Sequence, residues 1–285
     1  KNANIKLHIV NQLAGSSRIF SFLIFFLKFF YIALSTKPNI LHCVSMKAVI
    51  IGLAFKKFHS STNTVFAISG LGSIFSSEDN QSFLIKLRNV IICRVMKFLI
   101  KGQKKIRFIV QNEDDKLWLI TEFKVQLNDI TVIPGSGVPL PNPLPNMKLY
   151  KKKQVVMASR LLTNKGVIEF LTAVKYLSAR YPDWNFLLAG ENDLDSPAAF
   201  KHEDLVLLIN SSGCTHLGYV NPIEELLKET AIFVLPSYRE GFPKAIIEAA
   251  VAGCAIVTTN VTGCRDAVLH GELGVLIEPR NPEAI

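Results

Sequence analysis

The sequence predicts an α/β protein built from two parallel sheets that are covered by helices. Short apolar runs of three to six residues recur along the chain, and longer amphipathic stretches separate many of them. Such runs are typical of strands buried on both faces. The charge also divides the chain. Residues 1–150 hold 19 Lys and Arg against 7 Asp and Glu, whereas residues 151–285 hold 13 against 16. Two halves of different charge indicate two domains with different ligands.

The composition excludes several classes of protein. With 285 residues, of which 49% are apolar and 19% charged, the chain is too apolar for a disordered segment and long enough for two domains. Its five cysteines are scattered, without a C-x-x-C pair or a Cys/His cluster, which argues against a disulfide framework and a structural zinc site. A reducing, cytosolic compartment fits this cysteine usage best.

The apolar runs and the amphipathic stretches give the expected elements in order. We expect strands at Ile5–Val10, Ile40–Val44, Thr64–Ile68, Ile106–Val110, Ile130–Ile133, Val155–Ala158, Asn185–Ala189, Ala231–Leu235, Ala255–Thr258 and Val275–Ile277. We expect helices at Ser17–Leu34, Lys47–Lys57, Phe83–Ile100, Lys165–Arg180, Pro222–Lys228 and Pro243–Ala252. Strands that alternate with helices predict parallel sheets, whose ligands bind at the carboxyl ends of the strands.

A proline-rich stretch separates the two halves. Residues 134–153 contain five prolines and a basic run, which neither a helix nor a paired strand would tolerate. We therefore predict a first domain over residues 1–134, a linker over 135–153 and a second domain over 154–285.

The segment Ile19–Ser35 is the most apolar part of the chain. It has 17 residues with Lys28 as the single charge, slightly fewer than the roughly 20 that a spanning helix needs. A helix that is buried or lies on a membrane is favoured over a spanning one, and both alternatives remain open. No cleavable signal peptide is visible.

Two cations follow the first strand of the second domain. Arg160 and Lys165 lie five residues apart between Val155–Ala158 and the next helix, where a parallel sheet directs them toward its ligand edge. Arg offers a planar fork to phosphate oxygens and Lys a compact charge. Two solvated surface charges are the alternative interpretation.

A second loop carries two carboxylates beside an expected anion site. Pro243 suits the first turn of a helix, whose free amides bind anions, and Gly241 permits close approach of a ligand. Glu240 and Glu248 are then suited to accept hydrogen bonds from hydroxyl groups. The alternatives are a capping role for Glu240 and a solvated helix position for Glu248.

Four ordered motifs resemble one enzyme family. The segment PSYREGFPKAIIEAAVAGCAIVTTNVTGCRDAV resembles the E-x7-E region of family-four glycosyltransferases, a retaining group with the GT-B fold of two facing Rossmann-like domains. ASRLLTNKGV resembles the diphosphate-binding loop of that family, and AGEN and LGYV follow in the family's order and spacing. The sequence most resembles bacterial enzymes of capsule, O-antigen and lipid-linked oligosaccharide synthesis.

The resemblance implies roles for individual residues. Arg160 and Lys165 would hold the donor diphosphate and, with Glu240 at the sugar hydroxyls, carry catalysis without a metal or another cofactor. Glu248 would bind the ribose. The remaining donor-binding residues would be Gly190, Glu191, Val220, Gly241, Phe242, Pro243, Lys244 and Ala245. The string Asp193-Leu194-Asp195 suggests a metal-dependent transferase as an alternative, which its place after the Gly190 loop disfavours.

The first half departs from the family pattern on the acceptor side. His42 matches the first histidine of an H-x-H strand end, but Val44 occupies the second position, and Ser69-Gly70 stands where many relatives have His-Gly. Gly137 matches a loop near the hinge. His42 is also consistent with a structural histidine. The family's amino-terminal glycine-rich loop and its carboxyl-terminal crossing helix are not visible, which predicts a truncated chain.

The stretch between Gln81 and Asn112 holds eight basic residues and no acidic one. A basic amphipathic helix of this kind can lie on an anionic membrane. A solvated helix is the alternative, and nucleic acid is poorly supported because no aromatic platform or base-reading motif accompanies the charge.

The combined prediction is a peripheral enzyme on the cytoplasmic, inner face of the cell membrane. It would move a hexose or an N-acetylhexosamine from a nucleotide sugar, with a UDP-sugar as the expected donor, to a lipid-linked saccharide, with retention. An epimerase or phosphorylase of the same architecture and a non-catalytic sugar-nucleotide binding protein are the alternatives.

Overall fold

The computed structural model describes Leu7 and residues 18–68, 83–140 and 151–285, which divide into two compact units. Of the described residues, the first unit contains 18–68, 83–109 and 119–131. The second unit contains 110–118, 132–140 and 151–285. Except for Leu7, the predicted strand Ile5–Val10 lies outside the described residues.

The first unit contains a four-stranded sheet. Its strands, in spatial order, are β1 (Ile40–Val44), β2 (Asn63–Ile68), β3 (Ile106–Val110) and β4 (Ile130–Val132). β1 and β2 run parallel, with Ile40 opposite Asn63. The helices are α1 (Arg18–Thr36), α2 (Met46–Phe58), α3 (Phe83–Ile100) and the second part of α4 (Glu113–Phe123), whose residues up to Trp118 belong to the second unit.

Apolar side chains of β2, β3 and α2 form the core of this unit. Phe66 and Phe108 are fully buried, and their ring centroids are 5.5 Å apart. Phe55 of α2 is also buried, and it contacts the ring of Phe30 from α1. The long apolar run of α1 therefore has one face packed on α2. No described helix, α1 included, combines the length and the apolar character needed to cross a bilayer.

The second unit contains a six-stranded sheet in which every neighbouring pair is parallel. The spatial order of its strands is β10 (Val275–Ile277), β9 (Ala255–Thr259), β8 (Thr230–Leu235), β5 (Lys152–Ala158), β6 (Asn185–Ala189) and β7 (Thr215–Gly218). The helices are α5 (Val167–Arg180), α6 (His202–Ser212), α7 (Ile223–Glu229), α8 (Lys244–Val251) and α9 (Cys264–Ala267).

Both faces of this sheet are buried. Along β5, Val156 packs in a cluster that includes side chains of α7, α8 and α9, whereas Val155 and Met157 pack with side chains of α5 and α6. Burial on both faces explains why the strands are continuously apolar in sequence. The prediction of an α/β protein with parallel sheets is confirmed.

Several elements differ from the prediction. Strand β5 begins at Lys152, three residues before the apolar run that starts at Val155. The prediction missed this start because Lys152 and Lys153 are exposed and do not extend the apolar run. Helices α4, α6 and α9 and strand β7 were not predicted. The first turn of α4 is occupied by acidic side chains, which favour a helix amino terminus but hide the apolar period.

Candidate functional site

A pocket of about 520 Å³ lies in the second unit where the strands of its sheet end. Ala158 and Ala189 are the last residues of β5 and β6, and both line the pocket. Because neighbouring parallel strands end at the same edge, the loops that follow them meet there. The lining comes mainly from these loops and from the first two turns of α8.

Arg160 lines this pocket, two residues after the end of β5. Its guanidinium Nη1 donates to Asp193 Oδ2 at 2.7 Å, and the Arg160 side chain is 64% exposed. The bond occupies only part of a five-donor fork, so Arg160 retains donors for a bound anion. Asp193, the first carboxylate of the Asp193-Leu194-Asp195 string, therefore contacts a cation of the site.

Lys165 and Glu240 form an ion pair beside the pocket, although neither residue lines it. The side chains are 17% and 13% exposed, and Glu240 also accepts a hydrogen bond from Ser237 Oγ at 2.8 Å. The loops that carry the two residues pack closely, since Tyr238 N donates to Asn164 O at 3.0 Å. The sequence prediction placed both residues at the donor, and the structure brings them together across 75 positions.

A buried thiol lies close to this ion pair. Cys264 is fully buried, and burial, together with the nearby charge of Glu240, raises the pKa of its thiol to about 12. Cys264 packs in the same core cluster as Ile246 and Ala249 of α8. The site is therefore built directly on the hydrophobic core.

Helix α8 begins at Lys244, with Pro243 as its cap residue. Among the residues of the turn, Lys244 and Ala245 line the pocket, whereas Gly241, Phe242 and Pro243 do not. Glu248 also lines it. Its side chain is 14% exposed and pairs with Lys244 at 2.8 Å, a contact that raises the pKa of Lys244. The interpretation of Glu248 as a solvated helix residue is wrong, because the carboxylate is mostly buried at the pocket wall.

The loop after β6 also lines the pocket. Gly190 has φ +134°, a conformation that other residues rarely adopt, and its amide donates to Gly218 O at 2.7 Å. Its carbonyl lies 2.8 Å from His216 Nε2. Glu191 and Val220 line the pocket as well. All three predicted residues of this region therefore lie at the pocket.

Of the acceptor-side candidates that the structure describes, His42 and Gly137 are not part of this pocket. His42 is exposed on β1 of the first unit, opposite Val65 in the parallel register. Gly137 has φ +69° in a loop of the second unit. Ser69 and Gly70 lie outside the described residues.

The sequence reasoning missed part of the pocket lining. Tyr219 and Asn221 flank Val220, and Glu224 follows in α7. Tyr219 belongs to the LGYV motif, and Asn221 and Glu224 follow it closely, which was the available signal. Within residues 18–68, 83–140 and 151–285, no group of three or more His, Cys, Asp and Glu is arranged to hold a metal ion.

Three cations at or beside the pocket are each paired with a carboxylate. Arg160 pairs with Asp193, Lys165 with Glu240, and Lys244 with Glu248. An anion that entered the pocket could replace the carboxylates as the partner of Arg160 and Lys244, the two of these cations that line it. Carboxylates released in this way would be free to accept hydrogen bonds from hydroxyl groups, so the arrangement suits a ligand with both phosphates and hydroxyls.

Residues 152–285 match the protein family described as "Glycosyl transferases group 1". These residues belong to that family. The match confirms the resemblance that the ordered motifs of these residues indicated. It spans the whole six-stranded sheet and therefore every residue of the pocket.

Two curated relatives are similar over most of the chain. The chain is 29% identical over 269 residues to the N,N'-diacetylbacillosaminyl-diphospho-undecaprenol alpha-1,3-N-acetylgalactosaminyltransferase of Campylobacter jejuni, covering 89% of this chain and 68% of the relative. It is 28% identical over 257 residues to the UDP-Gal:alpha-D-GlcNAc-diphosphoundecaprenol alpha-1,3-galactosyltransferase of Escherichia coli, covering 85% of this chain and 63% of the relative.

A solved structure shows the same fold. The Anabaena protein HepE, determined in complex with UDP, superposes with a TM-score of 0.69 at 19% sequence identity, covering 91% of this chain and 69% of HepE. The expectation of a GT-B-like α/β architecture is confirmed at the level of fold.

Proposed function

We propose that this glycosyltransferase moves a hexose or an N-acetylhexosamine from a nucleotide sugar to a lipid-linked saccharide at the cytoplasmic face of the cell membrane. The observation that carries the proposal is the pocket at the strand ends, which combines Arg160, Lys244 and Glu248 in about 520 Å³. The names of the C. jejuni and E. coli relatives both describe acceptors with an undecaprenol diphosphate.

A UDP-sugar is the proposed donor. The name of the E. coli relative specifies UDP-Gal, and HepE was determined with UDP. In the proposed complex the diphosphate contacts Arg160 and the amino end of α8, whose first amides have no partner within the helix. Glu248 accepts the ribose hydroxyls, and Glu240 accepts hydroxyls of the transferred sugar.

The proposed mechanism follows from the charges that develop. Breaking the anomeric C–O bond leaves negative charge on the diphosphate and positive charge on the sugar. Arg160, Lys165 and the α8 amino end would stabilise the leaving diphosphate, a contribution of several kcal/mol in comparable sites, without a metal. Lys165 must then exchange part of its bond with Glu240 for a phosphate oxygen. Retention at the anomeric carbon is proposed from the family resemblance.

The test is a transfer assay that pairs a panel of nucleotide sugars with a bacterial membrane extract and detects the product by mass. We expect Lys165→Ala and Glu240→Ala each to lower transfer at least about tenfold, equivalent to about 1.4 kcal/mol. Lys175→Ala is the matched control, because Lys175 is exposed on α5 in the same unit. Unchanged turnover in either site variant would contradict the assignment.

Three further measurements distinguish transfer from the alternative functions and test the proposed metal independence. Product formed from the donor without an acceptor would indicate an epimerase or phosphorylase. UDP binding by calorimetry without transfer to any acceptor would indicate a binding protein. Loss of transfer after chelation of divalent cations would contradict the proposed metal independence.

A further inference from the structure

Helix α3 carries an apolar stripe that no described residue covers. Leu87, Ile91, Val95 and Phe98 follow one another at spacings of four, four and three, so they share one face of the helix. Their exposed fractions are between 40% and 67%, and Val90 on the same face is 46% exposed. An apolar face of this length is normally buried against a partner.

Packing of the opposite face fixes the orientation of this stripe. Met96, Leu99 and Ile100 are buried in the first unit, at 0%, 9% and 7% exposure. Rotating α3 to bury the stripe would expose these three side chains instead. The helix is therefore apolar on both faces at its carboxyl end, with only one face used by the fold.

The surroundings of the stripe are positively charged. Lys86, Arg88 and Arg94 are exposed on α3, and within the described residues none of them has a carboxylate at ion-pair distance. Lys97 alone on this helix pairs with a carboxylate among the described residues, that of Glu122 at 3.0 Å. In the sequence, residues 1–112 hold 16 Lys and Arg against two acidic residues.

The end of α2 adds basic and aromatic side chains beside the apolar stripe of α3. Lys57 Nζ lies 5.2 Å from the centroid of the Phe98 ring and donates to Lys101 O at 3.0 Å. The next residue, Phe58, is 76% exposed. Aromatic and basic side chains therefore meet where α2 and α3 end, an arrangement suited to the boundary between headgroups and acyl chains.

We infer that α3 docks the enzyme on an anionic lipid bilayer, with Leu87, Ile91, Val95 and Phe98 inserted among the lipids. Arg88, Arg94 and Lys57 then contact the phosphates of the headgroups. A membrane is favoured over RNA because the stripe is mainly aliphatic, whereas single-stranded RNA is bound through aromatic stacking. The inference rests on the proposed function, since a lipid-linked acceptor is confined to the bilayer, and it names the surface that reaches it.

The test is flotation of the 285-residue chain with vesicles of phosphatidylglycerol and phosphatidylcholine, compared with vesicles of phosphatidylcholine alone. We expect binding to the anionic vesicles that falls as salt is raised. The double variants Ile91→Ser/Phe98→Ser and Arg88→Gln/Arg94→Gln should each lower the partition coefficient at least about tenfold. The matched controls Leu207→Ser and Lys175→Gln, both exposed in the second unit, should retain it.

Each other outcome has a defined meaning. Equal partition of the site and control variants, or equal binding to the two kinds of vesicle, would overturn the inference. So would a dimer in light scattering that Ile91→Ser/Phe98→Ser disperses, or binding of a single-stranded RNA without binding of vesicles. Circular dichroism verifies that each variant is folded. UDP calorimetry separates the two proposals, because vesicle binding without UDP binding would refute the transferase site and leave the docking helix standing.

Discussion

Replacing Gly263 by alanine would press directly on the loop that carries Glu240. Gly263 has φ +81° and ψ −45°, and an added Cβ would lie 2.5 Å from Gly241 O and 2.6 Å from Glu240 O. Real Cβ contacts are not shorter than 3.0 Å, so the loop must move by about half an ångström. The backbone conformation alone costs about 1–3 kcal/mol for a residue other than glycine.

We therefore expect Gly263→Ala to lower the free energy of unfolding by about 2–4 kcal/mol. Because the displaced loop holds the partner of Lys165, affinity for UDP should also fall about tenfold, in line with the precision that binding sites require. The measurements are thermal unfolding and calorimetric titration with UDP.

The matched control is Gly213→Ala in the same unit. Gly213 has φ +77°, and the atom nearest to its added Cβ is the hydroxyl of Ser178, which can rotate away. This variant should lose only about 1 kcal/mol of stability and keep its affinity for UDP. Equal effects of the two substitutions on both quantities would refute the steric reasoning.

Two further predictions concern Asp193 and Cys264. Asp193→Ala frees Arg160 from an exposed ion pair worth about 0–1 kcal/mol, so calorimetry should show UDP binding up to about fivefold tighter; weaker binding would contradict this. Burial raises the pKa of the Cys264 thiol from 9.0 to about 12. The protonated thiol therefore makes its full contribution to the free energy of unfolding below pH 9, and this contribution is lost as the pH rises toward 12. Unfolding measured from about pH 8 to pH 10.5 should therefore show a smaller loss of stability in Cys264→Ala than in the unaltered chain; parallel curves would disprove it.

The strands were predictable because burial on both faces leaves a strong local signature. β1, β3, β6 and β10 have the predicted bounds. Two of the elements that were missed, α6 and β7, bury little of their surface. In α6, only Leu205 among the apolar side chains is buried, and the first three residues of β7 are exposed at the edge of the sheet. Their apolar pattern is therefore weak, and packing against neighbours decides their conformation.

The sequence by itself determined the family resemblance, the parallel sheets and the kinds of charged residue that the site contains. It could do so because motifs and apolar runs are local properties of the chain. Arg160, Lys244 and Glu248 could be chosen from a strand end and the first turns of a helix alone. Only the tertiary structure decided which charges are partners. Asp193 lies 33 positions from Arg160, and Glu240 lies 75 positions from Lys165. Such pairs form only when separate loops come together at one edge of the sheet. The spacing of the residues along the chain therefore does not predict which residues will be partners.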